Sequence, residues 1–528
     1  MIVFFIAFSI LTLSAGCILA LSPRVIRLGV AWLWSAGAAF VSWIMMIFLR
    51  QALPDRLTLK VWTPAGTPQM LTAFHLDAEA WIFLTTFLAV LLAGVLTDAA
   101  RISPATRPAL WAGALAMGAL SFGALTADNA AAFVFSWVVL DGVELVVFRQ
   151  KPENPRAYLQ YAMNLGFRAL GSLVIIIGLL MQAAEGETML LSNAPATVSL
   201  LYLVGAGLRL GVFPITMIYE NQPSERTGIS NLMRMLVSMS ALLLLTRLPA
   251  ASTPPHWRGV LITLALVIIL YGGVMMLQKK NAQRPFWILA LSGFAFLSTL
   301  KGNAALTPCW AAVMAGVGSL NFLNTSRGRI PCAAVLMGAV LLAGAPGSLI
   351  LLGWTGLSAT GFDISTLIAA GGMVLVLTGL AENAIDCPED EFAMQEGWIR
   401  LVYMLGFFNL LLSLIIEAIW SGAFALLSGW WIGVAVLILA AALIFIRKRK
   451  IAVRLPLPKP LKLILEDLGK ILSGFFGFTW LYRILFFLYS LLQRLVNSIV
   501  LLFEGEGGVL WSLLLLALLA SVLGGGGQ

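Results

Sequence analysis

Residues 207–220 read GLRLGVFPITMIYE and residues 342–346 read LAGAP. Each stretch interrupts a long apolar run, at Phe213-Pro214 in the first and at Gly344-Ala345-Pro346 in the second. Proline lacks a backbone donor and clashes with the preceding turn, so a helix does not pass through it undisturbed. Inside the hydrocarbon layer the freed backbone groups persist only where protein or a water-filled cavity supplies partners. Two such interruptions in corresponding places of two halves are the pattern of an inverted-repeat transporter. Function is therefore expected beside Pro214 and Pro346.

The rest of the chain has the composition of a membrane protein. Hydrophobic residues make up 60% of the 528 and charged residues 11%. Apolar runs of roughly 20 residues, enough for one crossing, recur from end to end. Spans are expected near 1–21, 26–49, 78–97, 108–126, 129–148, 158–182, 196–219, 228–248, 258–277, 285–301, 304–324, 331–353, 364–381, 399–420, 423–446 and 508–524. The first lacks a basic leading segment and a small-residue cleavage site, so it reads as a retained helix and not as a signal peptide.

Lys and Arg set the expected orientation. Loops after odd-numbered spans carry Arg24 and Arg27, Arg101 and Arg107, Arg149, Lys151 and Arg156, Lys279, Lys280 and Arg284, Arg327 and Arg329, and finally Arg447-Lys448-Arg449-Lys450, whereas those after even-numbered spans carry few apart from Arg50, Arg56 and Lys60. By the positive-inside bias the N-terminus faces out and the Arg447 cluster faces the cytoplasm. The net charge of +9 is spread over short loops, which fits anchoring at a membrane surface and argues against a nucleic-acid partner. No G-x-G-x-x-G lies between a strand and a helix, and there is no phosphate-binding Walker loop. Cys17, Cys309, Cys332 and Cys387 stand alone in the sequence, with no C-x-x-C and no histidine at ligand spacing, so no metal or other cofactor is expected.

Between spans two and three, Leu57–Trp62 alternates and Thr63-Pro64-Ala65-Gly66 reads as a turn, so an outer hairpin is expected within 50–77. The segment 382–398, with Glu382, Asp386, Glu389, Asp390, Glu391 and Glu396, reads as a solvated acidic loop. After span fifteen, Leu455-Pro456-Leu457-Pro458-Lys459-Pro460 forms a stiff linker. Residues 461–503 then read as helices lying in the membrane interface; the alternative is that 474–492 crosses the bilayer.

Ionisable residues inside spans are scarce, because a charge near the bilayer centre costs several kcal/mol unless paired or hydrated. In the first half they are Asp141 and Glu144 on span five, Arg168 on span six, Arg209 on span seven and Arg234 at the inner end of span eight. Asp141 and Glu144 are three apart and share one helix face. These are the ion-path candidates. The competing readings are structural ion pairs, or, for Glu144 and Arg234, side chains that snorkel to the interface. Spans nine to thirteen hold almost no mid-membrane charge, so a hydrophilic route there must rely on backbone near Pro346, on Ser319, Asn321 and Ser348, and on water.

These residues resemble the antiporter-like family shared by the large membrane subunits of respiratory complex I (NADH:quinone oxidoreductase) and the Mrp-type sodium/proton antiporters. The specific stretch is Gly207 to Arg247, which looks like the family's K-S-A-x-F-P-x-H-x-W-L-P followed by V-S-A-L-L-H. By position Arg209 takes the place of the broken-helix lysine, Phe213-Pro214 that of the F-P break, Ser230 that of the serine and Arg234 that of the next helix's histidine. Leu342–Pro346 resembles the second break, and Asn129 to Trp137 resembles the N-x7-W that precedes the family's glutamate. That glutamate's position holds Val138, with Asp141 and Glu144 one and two turns later as substitutes. In the second half the expected basic or acidic positions hold Gln283, Met314, Gly318 and Trp354. Arginine at 209 also stays charged where lysine can release a proton.

The resemblance implies an all-α polytopic membrane protein with two inverted five-helix repeats, spans four to eight and nine to thirteen, with broken helices seven and twelve. Its parts are 1–107 (three spans and the outer hairpin), 108–248 (first repeat), 258–381 (second repeat), 399–446 (spans fourteen and fifteen) and 455–528 (interfacial helices and a last span). The implied setting is the cytoplasmic membrane of a prokaryote, and the implied partners are other membrane subunits of a complex-I-like or Mrp-like assembly, lipid, and protons or sodium. In the transport reading Asp141 and Glu144 bind the ion, Arg209 is an electrostatic gate, and Arg168 and Arg234 assist. The alternatives are a non-conducting scaffold that lost its second-half charges, and a stand-alone carrier for an anionic solute. The chain is not expected to catalyse a reaction alone.

Overall fold

The computed structural model describes residues 2–21, 28–60, 71–102, 108–147, 155–185, 189–212, 239–249, 253–278, 283–324, 328–359, 361, 363–385, 392–425, 429–449 and short stretches between 486 and 517. It divides into two units, Met1–Val453 and Arg454–Gln528. The expected Phe213-Pro214 break, Ser230, Arg234, the Leu455–Pro460 linker and most of 461–503 lie outside the described residues. In the second unit the longest described stretch is a helical segment at 511–517.

Among the described residues the regular structure of the first unit is helical apart from one hairpin. In order the elements are α1 (Ile2–Leu21), α2 (Leu28–Leu49), β1 (Asp55–Lys60), β2 (Leu71–Leu76), α3 (Ala78–Thr97), α4 (Pro108–Thr126), α5 (Ala130–Val147), α6 (Pro155–Ala184) and α7 (Ala196–Leu210). A helical segment at 239–246 follows as α8. Then come α9 (Pro255–Gln278), α10 (Gln283–Leu300), α11 (Thr307–Leu323), α12 (Arg329–Ala343), α13 (Ile350–Ser358), α14 (Ile364–Ile385), α15 (Gly397–Trp420) and α16 (Trp430–Lys448). Ten of the described helical stretches are long and apolar enough to cross a membrane, and α7, α12 and the Pro285–Leu300 part of α10 are shorter apolar helices. The most enclosed spans begin with α3 and α11, buried over 94% and 89% of their apolar windows. They belong to a core to which α10, buried along its length, also contributes. By contrast α5 and α6 present Phe135, Val138, Leu173 and Ile177 on an exposed apolar face, as expected where lipid is the solvent.

Polar side chains fix the helix starts. Asp77 caps α3 by accepting from the Ala80 N–H at 2.8 Å, and Asn129 caps α5 through the Ala132 N–H at 2.9 Å. The hairpin pairs Asp55 with Leu76 through Lys60 with Leu71. Its second strand then ties into the α4–α5 corner, where the Asp128 N–H donates to the Ala73 carbonyl at 2.9 Å. That corner also bridges Asn129 to Leu190 before α7, so the entries of α5 and α7 are held together.

Two helix ends are closed by local hydrogen bonds. α7 stops at Leu210, ahead of the proline, because Gly211 adopts φ 72°. The Val212 N–H then reaches the Gly207 carbonyl (2.8 Å) and the Gly211 N–H reaches Leu208 (3.2 Å), a Schellman closure that satisfies the last carbonyls. Span twelve, expected as 331–353, is two helices, α12 and α13, separated by Gly344–Leu349. Gly344 sits at φ 99° and Gly347 at φ 79°, and the Trp354 indole donates to the freed Ala343 carbonyl at 3.0 Å. α16 crosses this interruption at Gly433, where an added Cβ would lie 2.4 Å from the Gly344 oxygen.

Three smaller expectations are corrected. Glu382 belongs to α14, not to an acidic loop; it is 6% exposed and accepts from Arg447 Nε at 2.6 Å. Span fifteen begins at Trp430, residues 423–425 forming a short 3-10 turn. Cys332 does not stand alone but is disulfide-bonded.

Candidate functional site

Three consecutive helices, α5, α6 and α7, bring four of the five ion-path candidates into one buried cluster. α6 and α7 meet at glycines. A Cβ on Gly171 would lie 2.7 Å from the Gly205 carbonyl and 3.2 Å from the Arg209 N, and a Cβ on Gly205 would meet Ile175 at 2.6 Å. Without side chains at the crossing, the backbones approach closely enough for Arg168 and Arg209 to reach the same carboxylate. Farther along, Gly178 packs on the Tyr202 ring, whose hydroxyl donates to Gln182 at 2.8 Å.

Asp141 is the shared anion. Arg209 grips it with a fork, Nη1 to Oδ2 and Nη2 to Oδ1, each 2.9 Å. Arg168 Nη2 donates to the same Oδ1 and also to Glu144 Oε2 at 2.7 Å. One guanidinium nitrogen thus touches both carboxylates. Arg209, Arg168 and Glu144 are 0%, 1% and 1% exposed, so lipid does not reach them and Glu144 does not snorkel. The indole of Trp137 covers the Arg209 guanidinium, with Cζ 4.4 Å from the ring centroid. Cation–π contacts are strongest where, as here, the cation is desolvated. Arg209 Nε and Trp137 Nε1 are buried donors without a hydrogen-bond partner among the described residues.

Two arginines and two carboxylates sum to zero. Burying ions is costly, and it is tolerated when pairing is close and the remaining hydrogen-bonding sites are filled. Bidentate Arg–carboxylate geometry is the favourable form. Arg168, expected as an auxiliary cation, instead holds the central bridging position. Pro346 lies in the α12–α13 connection, whereas Pro214 and Arg234 fall outside the described residues.

The second half contrasts at the positions where the resemblance expects charge. Gln283 is buried and joins helices as a neutral amide, donating to the Met276 and Gly379 carbonyls (3.3 and 3.1 Å). Asn321 donates to its oxygen at 3.4 Å, and Asn383 donates to Asn321 at 3.2 Å. At Gly318 the space of a side chain is filled by Trp287, whose Nε1 would lie 2.5 Å from an added Cβ and donates to the Met314 carbonyl at 2.9 Å. Trp354 stands against Trp310 (5.5 Å, edge-on), and Phe294 stacks on Trp310 at 4.7 Å. The Ser319 and Ser348 hydroxyls are buried without partners among the described residues. Indoles and amides therefore occupy these particular positions, while the buried charges of this half, Lys301 and Glu382, pair elsewhere with Asp363 and Arg447.

No protein-family model and no curated protein matches the sequence. Solved structures do match the fold. A chain of the Mrp complex from Dietzia sp. DQ12-45-1b has TM-score 0.63 at 15% identity, covering 99% of this chain and 62% of that one. The chain thus spans less than two thirds of that Mrp chain. A chain of the membrane-bound sulfane sulfur reductase, an archaeal respiratory membrane complex, has TM-score 0.62 at 15% identity, covering 98% and 100%. A chain of respiratory complex I from Thermus thermophilus has TM-score 0.61 at 18% identity, covering 83% and 100%. With these similarities and ten candidate spans, the protein is a multi-pass integral membrane protein with the fold of the antiporter-like membrane subunits of complex I and Mrp assemblies.

Proposed function

We propose that the protein is a membrane subunit of a complex-I-like or Mrp-like assembly, and that it moves protons, or sodium ions, through the charged path of its first half. The observation that carries this reading is the double contact of Arg168 Nη2 with Asp141 and Glu144. Arginine keeps its proton in proteins, so the exchangeable protons of the cluster sit on its carboxyls. Asp141, gripped by the Arg209 fork, is the fixed anion. Glu144 is the carrier. When Arg168 leans toward Asp141, the carboxylate of Glu144 loses a stabilising charge and a proton takes its place; when Arg168 returns, the proton is expelled. Arg209 anchors this exchange, covered by Trp137. The inverted repeat would place the interruptions after α7 and α12 on opposite sides of the midplane, with the driving redox or ion-gradient step supplied by companion subunits.

Proton flux in proteoliposomes of the assembled complex, compared between the parent, Asp141→Asn and Glu144→Gln, tests the proposal. Loss of flux in both variants is expected. Unchanged flux in both rules out the carboxylate relay, and absence of flux from a correctly assembled parent leaves the scaffold reading.

A further inference from the structure

Another carboxyl lies buried outside the charge cluster. Glu417 on α15 is 0% exposed, and its Oε1 is 2.8 Å from Thr86 Oγ1 on α3. The same Thr86 oxygen is 2.8 Å from the Ile82 carbonyl one turn back. A hydroxyl has one hydrogen, and a carbonyl can only accept. Each contact is a full, unshared hydrogen bond when Thr86 donates to Ile82 and receives from Glu417, the arrangement that a protonated carboxyl provides. The other oxygen, Oε2, is buried with no partner among the described residues. That suits the carbonyl oxygen of a neutral acid and is costly for an anion.

Among the described residues the neighbourhood offers no compensating ion pair. α3 contributes Glu79 and α11 contributes Cys309; Arg50 is engaged over the Trp81 and Trp420 rings at 5.7 and 6.0 Å. Among the described residues no lysine or arginine bridges to Glu417. α3 and α15 run antiparallel, since Asn409 meets the Ala89 carbonyl at 2.9 Å while Glu417 meets Thr86. Nine residues separate the Asp77 cap from Thr86, about 14 Å at 1.5 Å per residue, or roughly half of a hydrocarbon core about 30 Å thick. Beside Thr86 lies a small cavity whose lining includes Phe83, Met239, Ser240, Ala311 and Ala315. It lies between α3, α4, α8 and α11.

We propose that Glu417 is a second proton-binding site, loaded in the resting protein, which exchanges its proton through the Thr86 hydroxyl with water in this cavity. In the release step the carboxyl O–H bond breaks and its proton passes to Thr86 Oγ1. Thr86 turns its own hydrogen from Ile82 to the water, which leaves as hydronium; the reverse steps reload the acid, and no electrons move. The site's place in a transport path rests on the function proposed above, but its existence as a loaded, exchanging acid does not.

Infrared spectra of the full chain in lipid nanodiscs, in H2O and D2O, test it. The expected result is a protonated-carboxyl C=O band that shifts in D2O, disappears in Glu417→Gln and changes frequency in Thr86→Val. If no acid band is lost in Glu417→Gln, or the band ignores D2O, the proposal is overturned. Should Glu417→Gln fail to fold, Thr86→Val decides: a displaced band supports the site and an unchanged one refutes it. Unchanged flux in Asp141→Asn and Glu144→Gln, alongside the expected infrared behaviour, would reject the relay yet leave this site standing.

Discussion

Replacing Asp141 by asparagine removes the anion shared by Arg168 and Arg209 while keeping its shape. Three charge-assisted hydrogen bonds converge on that carboxylate, and both guanidiniums are almost fully buried. In the variant two cations face one carboxylate, so one positive charge is left without compensation. Breaking a buried pair from one side costs about 3–5 kcal/mol, whereas removing both partners in favour of apolar groups is often close to neutral. Asp141 itself is 14% exposed on its side chain, too little for solvent to replace the lost partners. Asp141→Asn should therefore lower unfolding free energy in mixed micelles by about 3–5 kcal/mol, and Asp141→Asn with Arg209→Met should recover most of that loss. A single variant losing less than about 1 kcal/mol, the scale of an exposed ion pair, would refute the charge balance. So would a double variant as unstable as the single.

Other perturbations probe the scaffold. Gly171→Ala pushes a methyl against the Gly205 carbonyl, and should cost about 1–3 kcal/mol by overpacking and reduce flux, read by thermal unfolding and by the proteoliposome assay. Trp354→Phe leaves the Ala343 carbonyl unpaired and should cost about 1–3 kcal/mol, with faster amide exchange at the α12–α13 connection as the local readout. At Asp77, burial raises the carboxyl, but the charge and hydrogen bonds of Arg247 and the Ala80 N–H outweigh it and hold it below its ordinary 3.8. A depressed carboxylate stabilises the fold above its unfolded value and loses that contribution as pH falls through its folded value. The stability difference between the parent and Asp77→Asn should therefore be constant above about pH 5 and shrink as pH falls below the ordinary carboxylate range, read by unfolding titrations across pH.

The charge cluster was legible in the sequence because ionisable residues are so rare in these spans that Asp141, Glu144, Arg168 and Arg209 selected themselves. Their connectivity was not. Arg168 reads as one more cation until the Gly171–Gly205 crossing brings α6 onto α7, and helix proximity has no one-dimensional signature beyond small residues at positions such as 171, 178 and 205. The end of α7 at Gly211 is legible in Gly211-Val212-Phe213-Pro214, a glycine with a proline shortly beyond it being a common helix-stop order. Tryptophans misled in the other direction. Trp287 and Trp354 count as apolar in any span search, yet each uses its N–H to satisfy a carbonyl, and Trp287 fills the space over Gly318. The enclosure of Glu417 against Thr86 of α3 has no signature in the sequence, because the two residues lie far apart in the chain.

Proton carriage by Glu144 under the control of Arg168 is tested most directly by altering Glu144 itself. Proton flux through the assembled complex in proteoliposomes should fall about a hundredfold or more in Glu144→Gln, the scale of a lost acid–base group, and should survive in part in Glu144→Asp, which keeps a carboxyl within reach of Arg168. Equal flux in the parent and both variants would contradict it.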